Sequence, residues 1–147
     1  MKIIITEKQL EALKLLKESD DRINSYVNNL NNITKELNKA YSKLSYITIA
    51  ELLSGESDID PISVMVNSLE VKNSKISDEF NRFFKSFDED TYYNMWEKTH
   101  DALEKLYYKN IDKINVLLTI ISNLGNLVYD NEDNKSVFSD IESINIG

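Results

Sequence analysis

The chain contains no cysteine, a single proline and three glycines. The missing cysteine excludes disulfides, thiolate nucleophiles and cysteine-based zinc or iron–sulfur sites together. So few glycines leave no Gly-rich phosphate loop, and neither a Gly-x-Ser-x-Gly elbow nor an HExxH pair occurs. Few breakers also mean few turns, so the elements between them are expected to be long. No apolar run approaches the roughly 20 residues that span a bilayer. The run Ile3-Ile4-Ile5 is too short for the core of a signal peptide. A cytoplasmic protein that is not an enzyme, holds no metal or cofactor and does not enter a membrane is the expectation.

What is present in quantity is a heptad pattern. Ile23, Leu30, Leu37 and Leu44 recur at seven-residue intervals, and Tyr26, Ile33, Ala40 and Ile47 repeat the interval three positions later. A seam held this long, with polar residues between, predicts a long helix whose narrow apolar stripe faces other helices. Thr6 to Gln9 forms a capping box that starts it. Leu10, Leu13 and Leu16 continue one face up to Ser19-Asp20-Asp21, where three cap-prone residues predict a weak point. The expected helix covers 7–53, and Gly55 suits the left-handed residue that closes it.

Asp60-Pro61 is a second start signal. Ile62, Leu69, Ile76 and Phe83 fall on one heptad series, with Val66, Asn73, Phe80 and Phe87 on its neighbour, predicting a helix over 61–87. Asn73 on the seam reads as a register device. A third helix over 91–129 carries Trp96, Leu103, Asn110, Leu117 and Leu124. Gly125 within it predicts either fraying or a close approach by another segment. An acidic tail, 130–147, follows; its last five residues alternate like a strand that pairs with Ile3–Ile5, and a short helix from Ser136 to Ile141 is the alternative.

The pattern predicts an all-α fold, an elongated antiparallel three- to four-helix bundle with coiled-coil packing, in one domain of 147 residues. The three helices differ in length. The first must overhang the second, so its overhang either folds back as a fourth helix or pairs with another copy of the chain.

Candidate chemistry is sparse. His100 is the only histidine, and Glu97-x-x-His100 is one copy of a motif that carboxylate-bridged metal bundles need twice. Asp58-Ile59-Asp60 and 130–134 have the composition of calcium loops without their central Gly and closing Glu. The net charge is −8, and residues 1–54, 55–101 and 102–147 carry +1, −6 and −3. Such a surface repels phosphate backbones, which argues against direct nucleic-acid binding. It suits a basic protein partner, including a nucleic-acid-binding surface for which it would compete.

Aromatics concentrate at the second turn: Phe80, Phe83, Phe84, Phe87, Tyr92, Tyr93 and Trp96, interleaved with acids. Neighbours on a helix lie about 100° apart, so adjacent pairs such as Phe83-Phe84 cannot all face one seam. They either cap the bundle end or form an acidic-rimmed patch for a protein partner. The residues expected to bind that partner are Phe84, Asp88, Glu89, Asp90, Tyr92, Tyr93 and Trp96.

The opening Met1-Lys2-Ile3-Ile4-Ile5-Thr6-Glu7-Lys8-Gln9-Leu10, with a composition rich in Ile, Asn, Lys and Tyr, resembles small proteins encoded by tailed bacteriophages. The resemblance implies a virion component or a small binder that blocks a host or defence protein. Two further expectations stand beside the inhibitor: a self-assembling structural protein that uses the overhang as its oligomer seam, and a bundle that sequesters a small ligand or nucleotide.

Overall fold

In the computed structural model, residues 6–55 and 59–133 are described. The strand pairing expected between Ile3–Ile5 and the last residues, and the alternative short helix from Ser136, lie outside them. The described residues are all-α, with no strand. None of their helices is long and apolar enough to cross a membrane.

Helix α1 spans Glu7–Tyr46 and starts at the capping box. The Gln9 N–H donates to Thr6 Oγ1 at 3.2 Å, and the Thr6 N–H donates to Gln9 Oε1 at 3.0 Å. The helix runs unbroken through Ser19-Asp20-Asp21. Ser19 lies seven residues before Tyr26 and is buried with it, whereas both aspartates face solvent. Packing of that face overrides the local preference for a cap. No break occurs at Ser19-Asp20-Asp21.

α1 nevertheless ends seven residues short of position 53. The Ile47 N–H closes on the Leu44 carbonyl at 3.2 Å, and Thr48 turns extended (φ −86°, ψ 154°). Its hydroxyl accepts from the Glu51 N–H at 3.1 Å, which caps a new helix, α2, over Ile49–Ser54. The β-branched run Ile47-Thr48-Ile49 favours helix weakly, and Thr48 offers the backbone a competing bond. Gly55 (φ 77°) closes α2, its N–H reaching the Glu51 and Leu52 carbonyls.

Helix α3 spans Asp60–Lys85, with Arg82 and Lys85 in its last turn, where cations complement the helix dipole. Its buried residues follow the heptads through Ile62, Val66, Leu69, Asn73, Ile76 and Phe80, but then Phe84, not Phe83, is buried. A straight helix drifts about 20° per heptad, enough over three heptads to exchange the two positions.

After the turn at 86–88 come α4 (Glu89–Thr91), a π-helical turn (Tyr92–Trp96) and α5 (Glu97–Asp133). The third expected helix thus begins two residues early and contains a π turn that the heptads do not announce. It also absorbs Asp130–Asp133, which the sequence assigns to the tail. Gly125 lies within the helix, and a Cβ built there would meet only Ile59 Cδ1, at 3.9 Å. Gly125→Ala is expected to stabilise the chain by about 1 kcal/mol through helix propensity, read as a higher midpoint of thermal unfolding.

Contacts divide the chain into two compact units, Met1–Thr34 with Lys72–Asn110 and Lys35–Val71 with Ile111–Gly147. The first has its core at Ile23, Tyr26, Leu30, Phe80, Phe84, Trp96 and Leu103; the second at Leu37, Ala40, Leu44, Leu52, Val66, Ile114 and Leu117.

Candidate interaction site

The acids and aromatics singled out in the sequence come together in the first unit, and the structure sorts them into two layers. The lower layer is core. Phe84 is 2% exposed and Trp96 6%, so neither presents the partner-binding surface expected of it. The Phe83 ring meets Phe87 edge-on at 5.1 Å, Phe87 stacks on Trp96 at 5.5 Å, and Tyr26 of α1 packs edge-on against Phe80 and Phe83. The Arg22 guanidinium lies 5.7 Å over the Phe83 ring. Among the described residues the buried indole N–H of Trp96 finds no acceptor. An unmet buried donor costs about 1–3 kcal/mol, which here is set against the aromatic packing.

The upper layer is exposed: Asp88, Glu89 and Asp90, with Tyr93 at 58% and Met95 at 48%. Asp88 is the N-cap of α4, accepting the Thr91 N–H at 2.7 Å. The Thr91 hydroxyl and then its N–H hold the Asp88 carboxyl below its ordinary value of 3.8. A folded-state value below the unfolded one stabilises the fold above pH 3.8, and that contribution is lost as pH falls through the depressed value. The expected result is an Asp88 carboxyl resonance that titrates below the ordinary 3.8, with the Thr91 amide signal moving in step.

Tyr92 stands between the layers, half-buried, and its hydroxyl lies 2.7 Å from His100 Nδ1. The other ring nitrogen lies 2.7 Å from Asn81 Oδ1 and 3.3 Å from Glu104 Oε1. Asn81 donates through Nδ2 to Ser77 Oγ, which turns its oxygen to the ring. His100 Nε2 therefore carries the proton, and Nδ1 accepts from the Tyr92 O–H. Burial, followed by Asp101, Glu104 and Glu97, raises the Tyr92 phenol above its ordinary 10.0. Residues eight apart are separated by about 80° around a regular helix. The π turn inserts one residue and so brings Tyr92 over His100. The heptad seam hides this pairing, and only the spacing of His100 and Glu104 by one turn hints at it.

His100 thus bridges α3 and the π turn, one ring nitrogen on the Tyr92 hydroxyl and the other on Asn81. Among the described residues no three His, Asp or Glu side chains gather as a metal site requires. The second unit carries an open groove of about 370 Å³ lined by Leu37, Asn38, Tyr41, Asp112, Lys113, Val116 and Leu117. The Lys113 ammonium donates to Asn38 Oδ1 at 2.8 Å, which leaves the groove almost wholly apolar.

The first turns of α1 form the overhang that the unequal helix lengths predict. From Glu7 to Glu18 no described side chain is buried, and Leu10, Leu13, Leu15 and Leu16 are 46%, 51%, 57% and 36% exposed.

Fold and surface together define an all-α helical protein with an acidic, aromatic-edged end and an uncovered leucine-bearing helix. Comparison with protein-family models, with curated proteins and with solved structures finds no match.

Proposed function

We propose that this chain is a non-enzymatic protein-interaction protein, phage-encoded, that binds and inhibits a host or defence protein through the surface of Asp88, Glu89, Asp90 and Tyr93, with Tyr92 at its margin. The observation that carries the reading is the layering. Three consecutive exposed acids and the exposed Tyr93 stand next to a packed aromatic cluster: Tyr93 meets Tyr92 edge-on at 5.2 Å, Tyr92 meets Phe84, and Phe84 and Phe87 pack on Trp96. A tyrosine held on a rigid base loses little entropy on binding, and the acids steer a basic partner. The partner acts at this surface in the cytoplasm of the host. Affinity capture by the wild-type chain and by Tyr93→Ser, in parallel at low and high salt, tests it. A partner retained only by the wild type and released by salt supports the reading; retention indifferent to Tyr93 and to salt removes it.

A second reading, self-assembly as a structural component, is favoured by the exposed leucines of α1. It goes with coiled-coil packing of α1, α3 and α5, supported by burial of Ile23, Tyr26, Leu30, Ile33, Leu37, Ala40 and Leu44 in alternating steps of three and four. Solution mass by light scattering during size exclusion decides it: a dimer or larger assembly supports self-assembly, a concentration-independent monomer removes it. Sequestration of a small ligand has only the groove of the second unit behind it, where almost no polar group is placed to fix a ligand's orientation.

A further inference from the structure

The first turns of α1 are an apolar helix face without a partner. Residues 7–18 span about 18 Å at 1.5 Å per residue. Leu10, Leu13 and Leu16 follow one another at three-residue spacing, each about a third to a half exposed. This face adjoins the seam of α1 that is already covered within the chain: Leu16 stands one heptad before Ile23, and Ser19 and Ile23 are both buried. Leu16 continues that seam, whereas Leu13 and Leu10 each lie one position beyond its next members, so the leucines flank the seam and offer a face beside it on which another helix can lie.

Charge selects which helix. Arg22 lies over Phe83. α1 and α3 run in opposite directions there, because Arg22 lies over Phe83 while, further along α1, Asn110 joins Leu30 to Asn73. α3 ends at Lys85, two residues past Phe83, and Asp88 caps the next helix, so the acidic turn lies at the end of this unit from which α1 continues towards Leu16. Asp20 and Asp21, both exposed, add to Asp88, Glu89 and Asp90. None of these five acids is in an ion pair among the described residues. Residues 7–18 are themselves balanced, three acids against three lysines. A helix lying on the leucines therefore meets a negative surface at its far end. A second copy brings the same acids and a net charge of −8, and like charges oppose it.

We infer that the leucine stripe of α1 and the acidic turn form one docking surface for an amphipathic helix of a partner protein, apolar on one face and cationic beside it. This deepens the reading above, on which it rests, by naming the partner's chemistry and adding a second contact surface.

Two synthetic 18-residue peptides with the same leucine stripe, one with lysines and one with glutamates on the polar face, test it by calorimetric titration of the full chain. The lysine peptide is expected to bind one to one and the glutamate peptide not to bind. Leu13→Gln and Leu16→Gln should each weaken binding at least tenfold without moving the thermal unfolding midpoint. Glu89→Gln with Asp90→Asn should also weaken it and flatten its salt dependence, the Asp88 cap being left in place. If the charge variants matter and the leucine variants do not, the acidic surface stands and the inference falls. Indifference to both sets removes both. Light scattering that finds a dimer dissolved by Leu13→Gln would identify a second copy as the occupant and overturn the inference. Leucine-dependent binding to neutral phosphatidylcholine vesicles in place of the lysine peptide would overturn it too.

Discussion

Phe84→Ala is expected to destabilise the chain by about 3–5 kcal/mol, the range for removing a large buried aromatic side chain. The residue is 2% exposed and touches four other rings: Phe83 at 5.3 Å, His100 at 4.6 Å, Trp96 at 6.3 Å and Tyr92 at 6.4 Å between centroids. Alanine would remove that set and leave a cavity beneath the π turn, so part of the loss should appear as a weaker Tyr92–His100 hydrogen bond. Tyr93→Ala, on the same patch in sequence but 58% exposed, should move stability by no more than about 0.5 kcal/mol. Urea unfolding of the two variants measures the contrast directly. A Phe84→Ala chain as stable as the wild type would show that this ring is not part of the core.

Asn110→Ala should cost about 3 kcal/mol, since it leaves buried partners unmet and opens space among three helices. Asn110 is 0% exposed and Asn73 1%. Asn110 Nδ2 donates to the Leu30 carbonyl at 3.1 Å and to Asn73 Oδ1 at 3.0 Å, while its own oxygen accepts from the Thr34 hydroxyl. Asn73 in turn donates to the Tyr107 carbonyl at 3.3 Å. One polar side chain from each of α1, α3 and α5 thus meets in a single layer that is satisfied only in one alignment of the helices. Converting both asparagines to leucine should restore much of the stability, because apolar replacement of a whole buried polar set is often neutral or better. Thr34 would keep an acceptor, the Leu30 carbonyl at 3.0 Å. The expected loss is uniqueness, seen as doubled or broadened amide resonances from alternative alignments. Sharp single resonances in the double variant would show that the layer does not set the register.

Periodicity was enough to read the seam of α1, because burial there repeats every three and four residues from Ile23 to Leu44. The capping box at Thr6, the left-handed Gly55 and the place of Asn73 on the buried seam were legible for a local reason: each depends on residues within a turn or on one polar residue in an apolar series. The break at Thr48 was not legible, since a cap and a heptad position compete there and only the energy of packing beyond Leu44 arbitrates. Nor was the π turn, whose extra residue is invisible to a seven-residue count.

The candidate site divides along the same line. Composition placed the acids of residues 88–90 and the surrounding aromatics at a turn, and the all-α class, the long helices and the net charge of −8 follow from the order of residues alone. Which rings are floor and which are surface was in part decided by tertiary structure: the drift of α3 buries Phe84 in place of Phe83, and the π turn brings Tyr92 over His100 and leaves Tyr93 outside, whereas Trp96 is buried in step with Leu103 as its heptad spacing predicts. The same holds for the leucines before Ser19. Their spacing reads as an apolar face, yet burial needs a neighbour, and Leu10, Leu13, Leu15 and Leu16 all stay exposed.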